Sequence, residues 1–264
     1  MSCRSWSSEA LILSVKDFGE GHRNAVLLLP GEEHCSRILE AAVFGGPKSK
    51  MRGLVVPYQS GTVWLYSNPI KNSNKITDFK VTEYRIGLRD NLTRLWCAAF
   101  ASELAVKLKG NIDWEILNFF LTGISYSNEA ECRTALLRFL WRVIIFSGIA
   151  PEVETCNRCG LHLSGKIENL SFVKNNENEE VLFYIPNEDA CVCKNCLQKG
   201  EPNFKLSSES LLYLFAVKNL IPKISRTLNI SEKTYSELKH FLFYLIKSQT
   251  EGTFRTLESG DFLF

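Results

Sequence analysis

The sequence predicts an α+β protein: a small N-terminal β-barrel, then an α-helical domain that carries an inserted cysteine-rich module with a β-hairpin. Three observations lead there. The apolar residues of the first eighty-odd positions come in short runs broken by Gly, Pro, Asn and Ser, and from Asp90 onward they recur at helical spacing. Within the helical part stand two Cys-x-x-Cys pairs, Cys156–Cys159 and Cys193–Cys196. The limits that follow are 1–85 for the barrel, 86–151 with 201–264 for the helical domain, and 152–200 for the insertion.

The barrel strands are expected over Ala10–Val15, Ala25–Leu29, Arg37–Phe44 and Thr62–Tyr66, with Lys75–Tyr84 able to supply a fifth. Five short strands without a long helix suggest a closed barrel. The OB-fold is the commonest of this size, and an SH3-like barrel would read much the same. Leu92, Leu95, Trp96, Ala99 and Val106 then fall at helical offsets, with Gly110 where a C-terminal glycine belongs. Trp114–Gly123 and Glu129–Gly148 read as further helices. After the insertion come Ser207–Leu220, closed by Pro222, and Ser231–Thr250, where Leu238, Phe241, Leu242, Leu245 and Ile246 form an apolar stripe stopped by Gly252.

A cysteine pair spaced by two residues turns both thiolates toward one point, and two pairs complete the tetrahedron that zinc prefers. The 33 residues between the pairs are many for a zinc ribbon. Ser171–Val173 and Val181–Ile185 look like strands flanking the polar turn Lys174–Glu180, and a hairpin there would bring the pairs together. One structural zinc ion held by Cys156, Cys159, Cys193 and Cys196 is the reading; a knuckle that no longer holds metal is the bland one. Cys191, two residues before Cys193, leaves the choice of ligand open. Disulfides are disfavoured by an odd total of nine cysteines and a start without a secretory pattern. Catalytic zinc is disfavoured because four thiolates leave no position for water, and no His-Glu-x-x-His stands nearby. Cys3, Cys35, Cys97 and Cys132 read as plain reduced thiols.

At 264 residues, 45% of them apolar, the chain can bury an ordinary core. No apolar run reaches the 18 or so residues that a membrane span needs, so a soluble protein is expected. A net charge of +2 means that any polyanion must be met by a local patch.

Several separate segments resemble one family, the bacterial recombination mediator RecO. Asp17-Phe-Gly-Glu-Gly-His-Arg23 followed by Val26–Leu29 is similar to its aromatic-Gly-Glu turn between the first two strands. Pro47-Lys-Ser-Lys-Met-Arg-Gly-Leu-Val-Val-Pro-Tyr58 is similar to its basic segment, Gly148–Cys156 with Cys159-Gly160 to its entry into a zinc module, and Ile246-Lys-Ser248 to its closing signature. The resemblance implies an OB-fold, a helical domain with a zinc knuckle, and a non-enzymatic role in recombinational repair. It further implies binding and annealing of single- and double-stranded DNA, association with RecR, recognition of the acidic C-terminal tail of single-strand-binding protein (SSB), and help to RecA in replacing SSB. A cytoplasmic, nucleoid-associated location goes with it, and no membrane. The chain departs in lacking extra basic residues between Gly46 and Pro47 and in the long insertion between its cysteine pairs.

An OB-fold binds single strands by laying phosphates along a basic groove and stacking bases on aromatic faces. Arg23, Lys48, Lys50 and Arg52 are the nucleic-acid-binding candidates. In an extended segment Lys48, Lys50 and Arg52 would point to one side. Lys80 and Arg85 extend the track, and Phe18, Tyr58 and Tyr66 are candidate platforms. The bland readings are a solvated loop and barrel-core aromatics. For the SSB tail, an apolar notch rimmed by cations is needed, and either Arg133, Arg138 and Arg142 or Lys218, Lys223 and Arg226 would serve.

Gly160–Lys166 imitates a phosphate-binding loop but has Ile167 where the magnesium-ligating hydroxyl belongs. His22, His34, His162 and His240 assemble no catalytic set. Three function classes follow: a DNA-binding mediator with no catalytic centre, an adaptor that binds RecR or SSB and touches DNA only indirectly, and, as the outlier, a zinc hydrolase.

Overall fold

In the computed structural model, which describes residues 4–18, 22–32, 34–44, 49–162 and 181–260, the alternating runs of the first part become strands. These are β1 (Ser5–Phe18), β2 (His22–Pro30), β3 (Ser36–Val43), β4 (Ser60–Asn68) and β5 (Ser73–Glu83). They close as a barrel in the order β1-β2-β3-β5-β4. Strand β1 is long enough to serve two neighbours: Ser5–Leu11 pairs with β4 and Leu11–Phe18 with β2. A register shift between Ile12 and Ser14 bends it at the changeover. The closing β3–β5 contact is parallel, and a helical turn, α1 (Met51–Leu54), lies between β3 and β4. This is the OB arrangement, so the SH3-like alternative drops out. Inward residues such as Ile12, Leu27, Leu29, Val63, Leu65 and Phe79 fill the interior.

The chain falls into two units, 1–133 with 250–264, and 134–249. In the first, α2 (Leu92–Lys107), α3 (Trp114–Ile124) and the start of α4 (Glu129–Phe146) follow a 3-10 turn at Ile86–Arg89. Their starts are set by capping. Asn91 accepts from the Arg94 N–H and Asp113 from those of Glu115 and Ile116, while Asn128 and Glu131 cap reciprocally.

Of the residues at helical offsets in α2, Trp96 is on the buried face and others are not. Leu92 and Val106 are exposed, and Trp96, Cys97, Phe100 and Leu104 are inside. The reason is a late segment of the chain. Trp96 and Phe100 stack at 5.4 Å, Phe254 packs on Phe100, and Trp96 Nε1 donates to the Thr256 carbonyl at 2.8 Å. Helix α8 (Arg255–Gly260), which follows the Gly252 stop, is capped by the Glu103 carboxylate. Gly110 is required twice over: its φ is +84°, and a Cβ there would come within 3.0 Å of the Ile38 backbone in β3.

Arg85, expected on the DNA track, is instead a buried joint and is corrected here. Only 6% exposed, it donates to the Tyr58 carbonyl and Ser60 Oγ on the barrel side, and to Asn118 Oδ1 and Thr122 Oγ1 on α3. Burial pushes its pKa down to about 10, so it stays charged at neutral pH and satisfies its donors inside the protein.

In the second unit a small sheet of order β7-β6-β8 is built from β6 (Leu182–Ile185), β7 (Ala190–Cys193) and β8 (Phe204–Leu206). The expected strand at Val181–Ile185 thus forms. Its expected partner, Ser171–Val173, lies outside the described residues, and the hairpin that is seen pairs β6 with the strand carrying Cys193 itself. The unit also holds α5 (Ser208–Asn219), α6 (Pro222–Ser225) and α7 (Glu232–Gln249). The whole predicted stripe of α7 is buried. Tyr184 of β6 meets Phe241 at 5.2 Å, and Phe204 of β8 meets Tyr244 at 4.7 Å, so α7 is the floor on which the sheet rests. Among the described residues no helix is long and apolar enough to cross a membrane.

Replacing Arg85 by Leu strips hydrogen bonds from acceptors on both sides of the joint. Urea unfolding should show a loss of about 2–4 kcal/mol, with Arg85→Lys recovering only a minor part because a single ammonium cannot span four acceptors.

Candidate metal centre and nucleic-acid surface

The first cysteine pair is shaped by a tight turn in which the Gly160 N–H donates to the Cys156 carbonyl and the Cys156 N–H to the Leu161 carbonyl, both at 2.8 Å. Gly160 takes a φ of +71° to make it. The second begins at the end of β7, where the N–H groups of Cys196 and Leu197 both donate to the Cys193 carbonyl. Two hydrogen bonds register one pair on the other: Asn157 N–H to the Cys191 carbonyl at 2.9 Å, and Cys193 N–H to Cys156 Sγ at 3.2 Å.

The four Sγ atoms of Cys156, Cys159, Cys193 and Cys196 consequently lie within 4.8 Å of one another. Cys159 and Cys193 are 3.8 Å apart. Bonds of about 2.3 Å in a tetrahedral zinc–sulfur site imply sulfur–sulfur edges of about 3.8 Å. Cys156 and Cys193 are buried, Cys196 is half-buried and Cys159 exposed. Burial works against ionising Cys156, but N–H donors from Cys193, Cys159 and Arg158 outweigh it and hold the thiol at about 6. Cys196 is pushed up to about 12, chiefly by the thiols of Cys159 and Cys193. Four sulfur donors this close could hold a metal ion of the soft-ligand class.

Cys191 is not in the cluster. It sits one step back in the regular part of β7, opposite Tyr184, with its thiol buried and its pKa raised by desolvation to about 12. A residue that sequence reasoning passed over is Arg158, between the two ligands of the first pair, whose guanidinium reaches the Cys196 carbonyl, Glu188 and Glu201. Nothing in the sequence ties it to those distant acceptors.

The nucleic-acid candidates fall out differently. Arg23, in β2, stands opposite Asp17 and binds its carboxylate at 2.9 Å. Arg52 approaches the same oxygen at 3.7 Å, and Arg23 also donates to the Arg52 carbonyl at 3.2 Å. Arg23 and Arg52 are thus brought together, but around a shared carboxylate. Lys50 caps α1, and Lys48 lies outside the described residues. The extended conformation that would align three cations is corrected: from Lys50 onward the segment is helical. Ser49 accepts the Met51 N–H, and Met51 and Leu54 pack against the barrel core.

Phe18 is 46% exposed, as expected of a platform. It is part of a ring cluster the sequence did not indicate: Phe18 meets His22 at 5.8 Å and His22 meets Phe44 at 4.9 Å, with Lys75 Nζ over Phe44 at 5.0 Å. Tyr58 and Tyr66 are only partly exposed, and Lys80 lies exposed on β5. Trp64, on the outer face of β4, is an exposed aromatic that was also missed. Of the remaining cations, Arg138 is buried against the Tyr213 hydroxyl and Lys218 is paired with Glu154. Arg142 donates to Ser225 Oγ of α6, the helix bearing Lys223, with Arg226 directly after it. Arg133 lies partly buried on α4.

The family model described as recombination protein O C terminal matches residues 89–258, a stretch that contains both cysteine pairs. The chain belongs to the RecO family. It is 27% identical over 161 residues to the DNA repair protein RecO of Syntrophotalea carbinolica, a match that spans 58% of this chain and 60% of that protein. With the DNA repair protein RecO of Desulforamulus reducens it is 20% identical over 258 residues, 97% of this chain and 94% of that protein. The RecO family thus ties the barrel and the four-cysteine cluster to DNA repair.

Metal analysis of the purified chain should give about one ion per molecule, and Cys193→Ser should reduce that to a small fraction, because three sulfur donors and a hydroxyl cannot close the set.

Proposed function

We propose that this chain is a DNA-binding recombination mediator with one structural zinc ion and no catalytic centre. It binds single- and double-stranded DNA, anneals complementary strands, and acts with RecR to help load RecA onto SSB-coated single strands, in the cytoplasm at the nucleoid. The observation that carries the reading is that Arg23 and Arg52 meet on Asp17, the neighbour in sequence of the exposed Phe18, while Lys75 stands over the exposed ring of Phe44. Cations beside open ring faces suit a single strand of any sequence, since phosphates take the charge and every base has a face to stack. Zinc supplies no step here. Cys156, Cys159, Cys193 and Cys196 would fill its coordination, leaving no place for water.

For the SSB tail, the two sets of cations considered as alternatives merge. Arg142 is anchored on Ser225, and beside that anchor Ile221 and Ile224 are exposed on the same short segment as Lys223 and Arg226. An acidic peptide ending in an apolar residue and a free carboxylate meets complementary chemistry there.

Asp17 takes part in the first site by competing with phosphate for Arg23 and Arg52. Asp17→Asn should tighten binding to a short single strand and steepen its salt dependence by about 0.7 in log–log slope, one freed cation's worth. The double replacement Lys50→Gln, Arg52→Gln should weaken binding and flatten the slope. Unchanged affinity across a salt series in the double variant would remove the barrel site. Strand annealing without any partner separates a mediator from an adaptor that reaches DNA only indirectly. In a parallel titration, Arg142→Gln should lower affinity for an acidic peptide with an apolar C-terminal residue by about tenfold, the usual cost of losing one charge-assisted bond.

A further inference from the structure

We propose that Arg158 is a positioning residue for the metal: its guanidinium latches the two cysteine pairs together before the ion arrives. This rests on the reading that the four thiolates hold zinc. Arg158 stands between the ligands Cys156 and Cys159 and reaches across to the other pair. Nη1 donates to the Cys196 carbonyl at 2.6 Å, and Nη2 with Nε grips Glu188, which lies in the turn between β6 and β7. The same guanidinium is bound by Glu201, whose carboxylate also accepts the Gln198 N–H just past the second pair. One side chain from the first knuckle thus ties down the strand turn before the second knuckle, a carbonyl within it and the chain leaving it.

Two features lift this above an ordinary surface ion pair. Arg158 and Glu201 keep only 20% and 15% of their side-chain surface in contact with water. Two carboxylates and a carbonyl share one planar fork, a geometry arginine alone provides.

Without the latch, zinc binding must meet the cost of closing the 33-residue separation between the pairs. With it, that ordering is already in place. The ion then meets a formed set, and affinity rises because less of the binding energy is spent on assembly.

The test uses the full chain loaded with zinc. Affinity is measured by competition with a chromophoric chelator, and release by mixing with excess chelator, for Arg158→Gln, Arg158→Lys and Glu188→Gln. Arg158→Gln should bind zinc about tenfold or more weakly, the usual effect of losing a group that orients metal ligands. It should release the ion correspondingly faster, and in the metal-free chain the backbone amides of the cysteine module should lose exchange protection while those of the barrel keep theirs. Arg158→Lys keeps the charge and loses the fork, and should stay near Arg158→Gln; Glu188→Gln should lie between. Zinc affinity within about threefold of the unmodified chain in both Arg158→Gln and Glu188→Gln overturns the proposal. If Arg158→Gln does not fold, Glu188→Gln decides by the same threshold. An unmodified chain that takes up no zinc at all sinks the metal reading instead, a distinguishable result.

Discussion

Four sulfur donors drawn to within 4.8 Å of one another repel as soon as they ionise. Everything around them works against that repulsion. The sheet β7-β6-β8 is pressed onto α7 by the rings of Tyr184, Phe204, Phe241 and Tyr244, which fixes where Cys193 comes off its strand. Backbone N–H groups aimed at Cys156 stabilise one negative charge in a buried place. What remains is an imbalance that a metal cation in the cluster could correct. A cation held by all four sulfurs would have its tetrahedral positions filled by protein.

The barrel shows a different economy of charge. Two of its arginines, Arg23 and Arg52, share the Asp17 carboxylate, so this part of the surface presents less net positive charge than a count of Arg and Lys suggests. Surface pairs of this kind are weak. A phosphate, already surrounded by counterions to be released, can displace the carboxylate at little cost.

Much of this was legible in the residues. The strands at Ala10–Val15 and Ala25–Leu29, the helix stripe from Leu238 to Ile246, and the four clustered cysteines were all visible as period or spacing, because each is a local pattern. What sequence could not show was long-range. Arg85 reads as one more surface cation until Asn118 and Thr122 are seen to close over it. The buried face of α2 is decided by Phe254 and Thr256, some 150 positions later. Phe44 and His22 become neighbours only when β2 and β3 pair. The conformation of the basic segment from Lys50 onward departs from the extended one for another reason. The alternation of Lys48, Lys50 and Arg52 fits an extended chain, but a helical turn lets Met51 and Leu54 reach the core, and burial outweighs the pattern.

The Arg85 joint has a mechanical meaning. Its bonds run from the loop and strand at Tyr58 and Ser60 straight into α3, so barrel wall and helix are fastened at a dry, charged rivet. A strand tugging on the outside of the barrel therefore loads the helix as well, and the pair should yield together under force as a single element instead of peeling apart in sequence.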